Sequence, residues 1–194
     1  DYAIIRAAYR GYETGRIVTD SKFERNVKNA TKNGIDIGLY FFTQAINEQE
    51  AVEEPNYVLD LARKYDVNVR YPIIIDTEYS TSKTNGVLDY EGRADQLDVA
   101  TRTAVCRAFC DTIRNAGYIP AVYASKYWFY DNLDVSQLNS YDIWVAHYTT
   151  AKTTDYKYKY NMWQYTSSGS IPGVYAPFEN GKVNVDMSIC YKKY

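Results

Sequence analysis

Almost nothing in this chain is suited to metal or thiol chemistry: one histidine and three cysteines, Cys106, Cys110 and Cys190, in 194 residues. With so few ligands a zinc cluster is not expected, and an odd number of cysteines leaves at least one unpaired within the chain. Cys106 and Cys110 fall four apart on a predicted helix and read as buried core thiols. An excess of charge is also lacking. Lys and Arg total 22 against 24 Asp and Glu, a formal net charge of -2, so there is no broad electrostatic footprint for nucleic acid or for an anionic membrane. No apolar run approaches the roughly 20 residues of a spanning helix, and Asp1-Tyr2-Ala3-Ile4-Ile5-Arg6 is not a basic leader followed by an apolar stretch. Composition nowhere shifts sharply enough to mark a second domain, so residues 1–194 are expected to form a single one. What the chain has in abundance is aromatic: 22 Tyr, six Phe, and Trp128, Trp144 and Trp163. Such rings offer flat amphipathic faces that suit sugars as well as a protein core.

Short apolar runs alternate with helical stretches, the pattern of a parallel sheet with crossover helices. Strands are expected at Tyr2–Ala8, Ile35–Phe42, Tyr71–Asp76 and Pro120–Ala124. Helices are expected from a capping box at Ser21-Lys22-Phe23-Glu24 to about Gly34, from Asn47 towards Tyr65 with a kink or reset at Pro55, and over about Asp95–Asn115. Further on come strands at Tyr141–His147, Asn161–Tyr165 and Val183–Met187. Between them lie only a short helix near Ser125–Tyr130, a turn near Val135–Leu138 and loops. The alternation fits a barrel or a doubly wound α/β fold, and the late crossovers shrunk to loops predict an irregular barrel, helical in its first half. Tyr156-Lys157-Tyr158-Lys159-Tyr160 is a local bias that reads as an exposed loop or edge strand.

The segment richest in chemistry is Tyr71-Pro72-Ile73-Ile74-Ile75-Asp76-Thr77-Glu78. Side chains two apart on a strand share a face, and the C-terminal ends of parallel strands line the active-site crevice, so Asp76 and Glu78 should project into it together. Adjacent acids raise one another's pKa: one carboxyl then keeps a proton for general acid catalysis while its neighbour stays charged, the division of labour that glycoside hydrolysis uses. Asp186 stands on a second short alternating strand. Tyr40, Tyr123, His147, Trp163 and Gln164 fall at other strand ends and are candidates for orienting a polar ligand. No Ser or Cys nucleophile motif accompanies His147, which argues against triad chemistry.

Jointly and in order, Ala3–Gly11, Gly38–Phe42, Tyr71–Glu78, Phe109–Ile113 through Gly117-Tyr118, Val122–Ser125, Trp144–Tyr148, Met162–Ser167 and Val185–Met187 resemble the family 25 glycoside hydrolases, the Ch-type lysozymes or N-acetylmuramidases. The resemblance runs essentially from end to end. It implies an α/β fold, an irregular TIM-like β/α barrel with fewer helices than strands, and a muramidase that cleaves the β-1,4 bond between N-acetylmuramic acid and N-acetylglucosamine in peptidoglycan. Glu78 would be the proton donor, Asp76 its charge-stabilising partner and Asp186 the third acid, with Tyr40, Tyr123, Trp163 and Gln164 shaping the saccharide site. It implies no metal or cofactor, bacterial cell-wall peptidoglycan as partner, a monomer, and a secreted or phage-encoded protein acting on the wall. The family begins with a further strand bearing an Asp; the chain starts at Asp1 inside what would be the second strand, and so reads as a fragment. Two rivals remain. A chitinase-like signature would need Asp where Tyr71 and Ile74 stand, and a catalytically silent glycan-binding barrel would keep the cleft without turnover.

Overall fold

The computed structural model describes residues 1–172, 174 and 184–194. Eight strands form one curled sheet. Its core is parallel: β1 (Tyr2–Arg10), β3 (Asp36–Phe42), β4 (Val69–Asp76), β7 (Pro120–Ser125), β8 (Asp142–Ala146) and β9 (Met162–Gly169) follow one another across it. Antiparallel strands flank both sides, β2 (Ile17–Thr19) beside β1 and β10 (Val185–Cys190) beside β9. The sheet bends until β1 and β10 approach each other, where the Tyr2 hydroxyl donates to the Ser188 carbonyl at 3.2 Å. Among the described residues no ladder joins these two strands, and the architecture is the irregular barrel that the alternation predicted.

Strand alternation sorts the side chains into two apolar layers. Leu39, Phe41, Ile73, Ile75, Val122, Val145 and Trp163 point outward, under helices α1 (Phe23–Lys32), α2 (Glu48–Lys64) and α3 (Val99–Asn115). Ile74, Ala121, Tyr123, Trp144, Ala146 and Met162 point into the barrel, with Tyr2, Ile4 and Tyr40 against them. Gly38 sits where the interior is tightest: a methyl group there would lie 2.9 Å from the Pro72 carbonyl oxygen and against Ile4, so β1, β3 and β4 could not close around any larger residue.

The helix boundaries follow local chemistry. Asn47 and Asp98 cap α2 and α3 by accepting from Glu50 N–H and Thr101 N–H at 2.9 and 2.7 Å, worth about 1 kcal/mol each. Local expectations are corrected in places. Helix α3 begins at Val99 rather than near Asp95. The Ser21 capping box does not form: Lys22 occupies the cap position without a side-chain bond, while the Asp20 carboxylate takes the Lys22 N–H and the Arg6 guanidinium. Pro55 does not restart α2, which runs through it from Glu48 to Lys64. The hairpin of β5 (Ser82–Thr84) and β6 (Val87–Tyr90) was missed, although Asn85-Gly86 between its strands, with φ of 52° and 81°, is a strong hairpin signal. The last strand begins at Val185; Val183 lies outside the described residues.

Arg10, 4 % exposed at the end of β1, ties the barrel to α2. Its guanidinium bonds Glu54 at 2.8 Å and Glu53 at 3.0 Å, and donates to the carbonyls of Gly15 and Glu50. Arg93 extends the network by gripping the Glu50 carboxylate at 2.7 and 3.0 Å. Glu54 is fully buried, and burial outweighs the attraction of Arg10, lifting its pKa from 4.5 to about 7. The folded state thus holds this proton more tightly than the unfolded chain, so the contribution is complete below pH 4.5 and is lost as the pH rises through about 7. Arg10→Ala would leave Glu54 uncompensated, and urea denaturation should report a loss of about 3–5 kcal/mol. The same titrations repeated between pH 4.5 and 8 should show the variant's stability falling more steeply with pH than the parent's; equal slopes would remove the pairing as the cause.

Candidate active site

Beside β1 and β10 the barrel opens into a cleft of about 750 Å³. Its acids come from two distant stretches. On β4 the alternation that sends Ile73 and Ile75 outward puts Ile74 and Asp76 inside, and the next inward position is Glu78, just past the strand end. From the far side β10 supplies Asp186. All three line the cleft, with Tyr40, Tyr123 and Gln164. Six of the eight residues picked out from the sequence are thus brought together.

Asp76 is 6 % exposed and its Oδ1 has no partner. Burial drives its pKa well above the ordinary carboxylate range, and the neighbouring Glu78 charge and a hydrogen bond to Glu78 push it the same way; only Arg6 opposes them. Glu78 is also raised, first by burial and then by Asp186, while its bond from Asp76 pulls it down. Burial thus biases both carboxyls toward the protonated form, the more deeply buried Asp76 more strongly than Glu78.

The polar lining is pre-set. Gln164, 3 % exposed, has its Oε1 held by two phenols, Tyr123 at 2.6 Å and Tyr148 at 2.8 Å. Both are donors, so the carbonyl end of the amide is committed and the NH₂ group is left as a donor for a ligand. Tyr40 is pushed up to about 12 by burial and by the Asp76 charge, which keeps it a neutral hydroxyl. Trp144 packs on Tyr123 at 4.5 Å between centroids and is fixed by its indole N–H to Ser188 Oγ, 3.1 Å.

His147 and Trp163 are not brought to this lining. Both occupy odd positions beside the inward-facing Ala146 and Gln164, and therefore point outward. Trp163 is buried under the sheet with its indole N–H on the His147 carbonyl at 2.9 Å, and His147 Nδ1 meets Thr154 Oγ1 at 2.9 Å. The motif was right about the strand ends and silent about the face. Three residues escaped the sequence reading: Trp144, Tyr148 and Arg6. The first two share the inward parity of Ala146, a signal available from the alternation. Arg6, paired with Asp20 at 2.6 Å, faces Tyr40 across the β1–β3 ladder, and nothing local marks it.

Comparison with known proteins settles the lineage. The family model described as glycosyl hydrolases family 25 matches residues 5–174. The chain belongs to glycosyl hydrolase family 25. It is 31 % identical over 160 residues to the lysozyme of Streptococcus phage Cp-7, covering 77 % of this chain and 39 % of that protein. Among solved structures it is similar to the modular autolysin LytC of Streptococcus pneumoniae, with TM-score 0.74 and 28 % identity over 96 % of this chain and 40 % of that one. The Clostridium perfringens spore cortex lytic enzyme SleM shares the fold, with TM-score 0.74 and 21 % identity over 97 % of this chain and 59 % of SleM. The chain spans about two fifths of the length of the phage lysozyme and the autolysin.

Because Asp186 raises Glu78 and Arg6 lowers Asp76, single substitutions should move the pair in opposite senses. In carbon-detected NMR titrations Asp186→Asn should shift the Glu78 carboxyl transition to lower pH, and Arg6→Ala should shift that of Asp76 to higher pH. Shifts in one common direction would contradict the electrostatic arrangement.

Proposed function

We propose that this chain is a muramidase, hydrolysing the β-1,4 bond between N-acetylmuramic acid and N-acetylglucosamine in bacterial peptidoglycan. The observation that carries the reading is the convergence of Asp76 and Glu78, two carboxyls raised by burial at one strand end, with Asp186 across an aromatic-lined cleft. The phage lysozyme and the pneumococcal autolysin named above support the substrate class.

In the mechanism Glu78 is the proton donor. As the saccharide enters and excludes water, a proton passes from Asp76 to Glu78, which delivers it to the glycosidic oxygen as the bond to the anomeric carbon breaks. Asp76, now anionic, stabilises the positive charge that develops on the reacting sugar. Its unpartnered Oδ1 is free to accept the acetamido N–H. Asp76 and Glu78 project from the same side of one strand end, an arrangement unlike the two opposed carboxylates of an acid and nucleophile pair. The substrate's own acetamido oxygen is therefore assigned the attack on the anomeric carbon, closing an oxazolinium ring. Water then opens that ring, with the Glu78 carboxylate taking its proton. Asp186 completes the acidic cleft and helps keep Glu78 protonated, and Tyr40, Tyr123 and Gln164 orient the saccharide. The protein is proposed to act at the cell wall, as a single catalytic domain and a monomer.

Glu78→Gln removes the transferable proton and keeps the size, so release of reducing sugar from purified peptidoglycan should fall about 10²–10⁴-fold with little change in thermal stability. Asp76→Asn should also be severe, since it removes the anion. The rate should be bell-shaped in pH, falling on the acid side as both carboxyls protonate and on the alkaline side as both ionise. Retention of near-normal activity by Glu78→Gln would move the donor role elsewhere. A parent protein that binds glycan and frees no reducing ends would instead be a glycan-binding barrel.

A further inference from the structure

Six tyrosines outside the cleft form one continuous stripe on the outer wall of the barrel. It starts at Tyr127 and Tyr130 on the short helix α4 (Lys126–Asn132), passes over Tyr156, Tyr158 and Tyr160 in the segment before β9, and ends at Tyr191 just after β10. Each ring touches the next: Tyr127–Tyr130 at 6.5 Å between centroids, Tyr130–Tyr158 at 5.9 Å, Tyr156–Tyr160 at 6.2 Å and Tyr160–Tyr191 at 5.5 Å. Tyr130 and Tyr156 stack at 5.6 Å with planes 13° apart, which joins the helix to the segment. The backbone is pinned as well, Lys157 N–H donating to the Tyr130 hydroxyl at 2.9 Å.

Packing explains Tyr130, Tyr156 and Tyr160, which belong to the core or lie against it, but not the other three rings. Tyr127, Tyr158 and Tyr191 are 65, 49 and 54 % exposed, and Tyr156, though buried, has a hydroxyl without a partner. A stripe that only sealed the barrel would bury those rings or use aliphatic residues. Charge accompanies the aromatics. Lys157 and Lys159 alternate with the tyrosines, are exposed, and among the described residues have no carboxylate within ion-pair distance, whereas the adjoining Lys126 is paired with Asp155 at 2.7 Å. Asp131 is the one exposed acid on α4, so the stripe keeps a positive surplus.

From this combination we infer that the stripe is a second carbohydrate-binding surface, separate from the cleft, which holds the intact wall glycan: sugar rings lie on Tyr127, Tyr158 and Tyr191, and stem-peptide carboxylates pair with Lys157 and Lys159. The occupant's identity rests on the muramidase reading; the surface itself does not. Flat, partly exposed tyrosines match the apolar faces of pyranose rings at little conformational cost, and the unpaired ammonium groups match an anionic polymer. The function is retention: a chain so held stays on an insoluble wall between cleavage events.

The test uses Tyr127→Ala/Tyr158→Ala and, separately, Lys157→Glu/Lys159→Glu, which alter exposed side chains. Binding is read in the Glu78→Gln background by co-sedimentation with purified peptidoglycan sacculi stripped of teichoic acid. Each double change should weaken binding about tenfold, the scale of losing one or two aromatic or charged anchors. With Glu78 intact, the same changes should cut the rate on insoluble sacculi by a similar factor and leave the rate on soluble muramyl oligosaccharides unchanged. Unaltered co-sedimentation overturns the inference, as does an equal loss on soluble substrate. Binding that needs teichoic acid, or a concentration-dependent dimer abolished by the tyrosine changes, reassigns the stripe and overturns it too. If the parent frees no reducing ends while its wall binding still depends on the stripe, the muramidase reading fails and the surface stands; normal turnover with stripe-independent binding gives the reverse.

Discussion

A carboxyl group cut off from water has to give up its charge or find a partner, and the organisation of this molecule's cleft turns on how Asp76 does so. Buried at the end of β4 with one oxygen unpartnered, it is pushed well above the ordinary carboxylate range by burial and by the nearby Glu78. The low-polarity setting behind this shift is made by the barrel itself. Ile74 lies below the acid on the same face, Tyr40 and Tyr123 flank it on the neighbouring strands, and Asp76 is in register with Phe42 on one side and Tyr123 on the other. Loosening that enclosure would hydrate Asp76 and lower its pKa toward the ordinary carboxylate range.

The enclosure is held from outside by charges of a different kind. Arg10 closes over Glu54, Glu53 and the α2 backbone, and Arg93 fastens Glu50 to the segment that carries the β5–β6 hairpin. Asp95 secures the base of that hairpin by accepting from the Ser80 and Thr81 N–H groups, immediately after Glu78 leaves the sheet. Trp128 adds a tie from α4, its indole N–H reaching Thr77 Oγ1 at 3.2 Å between the two acids in sequence. The residues around Glu78 are therefore fixed by side-chain bonds where the ladder of β4 has ended, which suits a group that has to meet a glycosidic oxygen in one orientation.

Periodicity made much of this legible in advance. Three isoleucines running into Asp76-Thr77-Glu78 announce a buried strand whose acids share a face, and the order of helices and short strands announces a barrel that loses its helices late. Local rules failed where tertiary partners competed for the same groups. Ser21 does not cap α1, where Asp20 takes the Lys22 N–H and the Arg6 guanidinium instead, Pro55 is carried inside one continuous α2, and Trp163 and His147 stand at the right strand ends on the wrong face.

What the sequence determined alone is therefore whatever depends on spacing along one strand or helix: the barrel class, the shared face of Asp76 and Glu78, the start of α2 after Asn47. What only the folded molecule decided is whatever depends on the angle and register between strands. The curl of the sheet carries Asp186 to the other two acids, Tyr123 and Tyr148 onto one oxygen of Gln164, and Tyr191 onto the end of a tyrosine stripe begun on α4. Side-chain periodicity is a property of the local backbone and is written in consecutive residues. The twist that brings distant strand ends together accumulates across every strand in between, so no single segment encodes it.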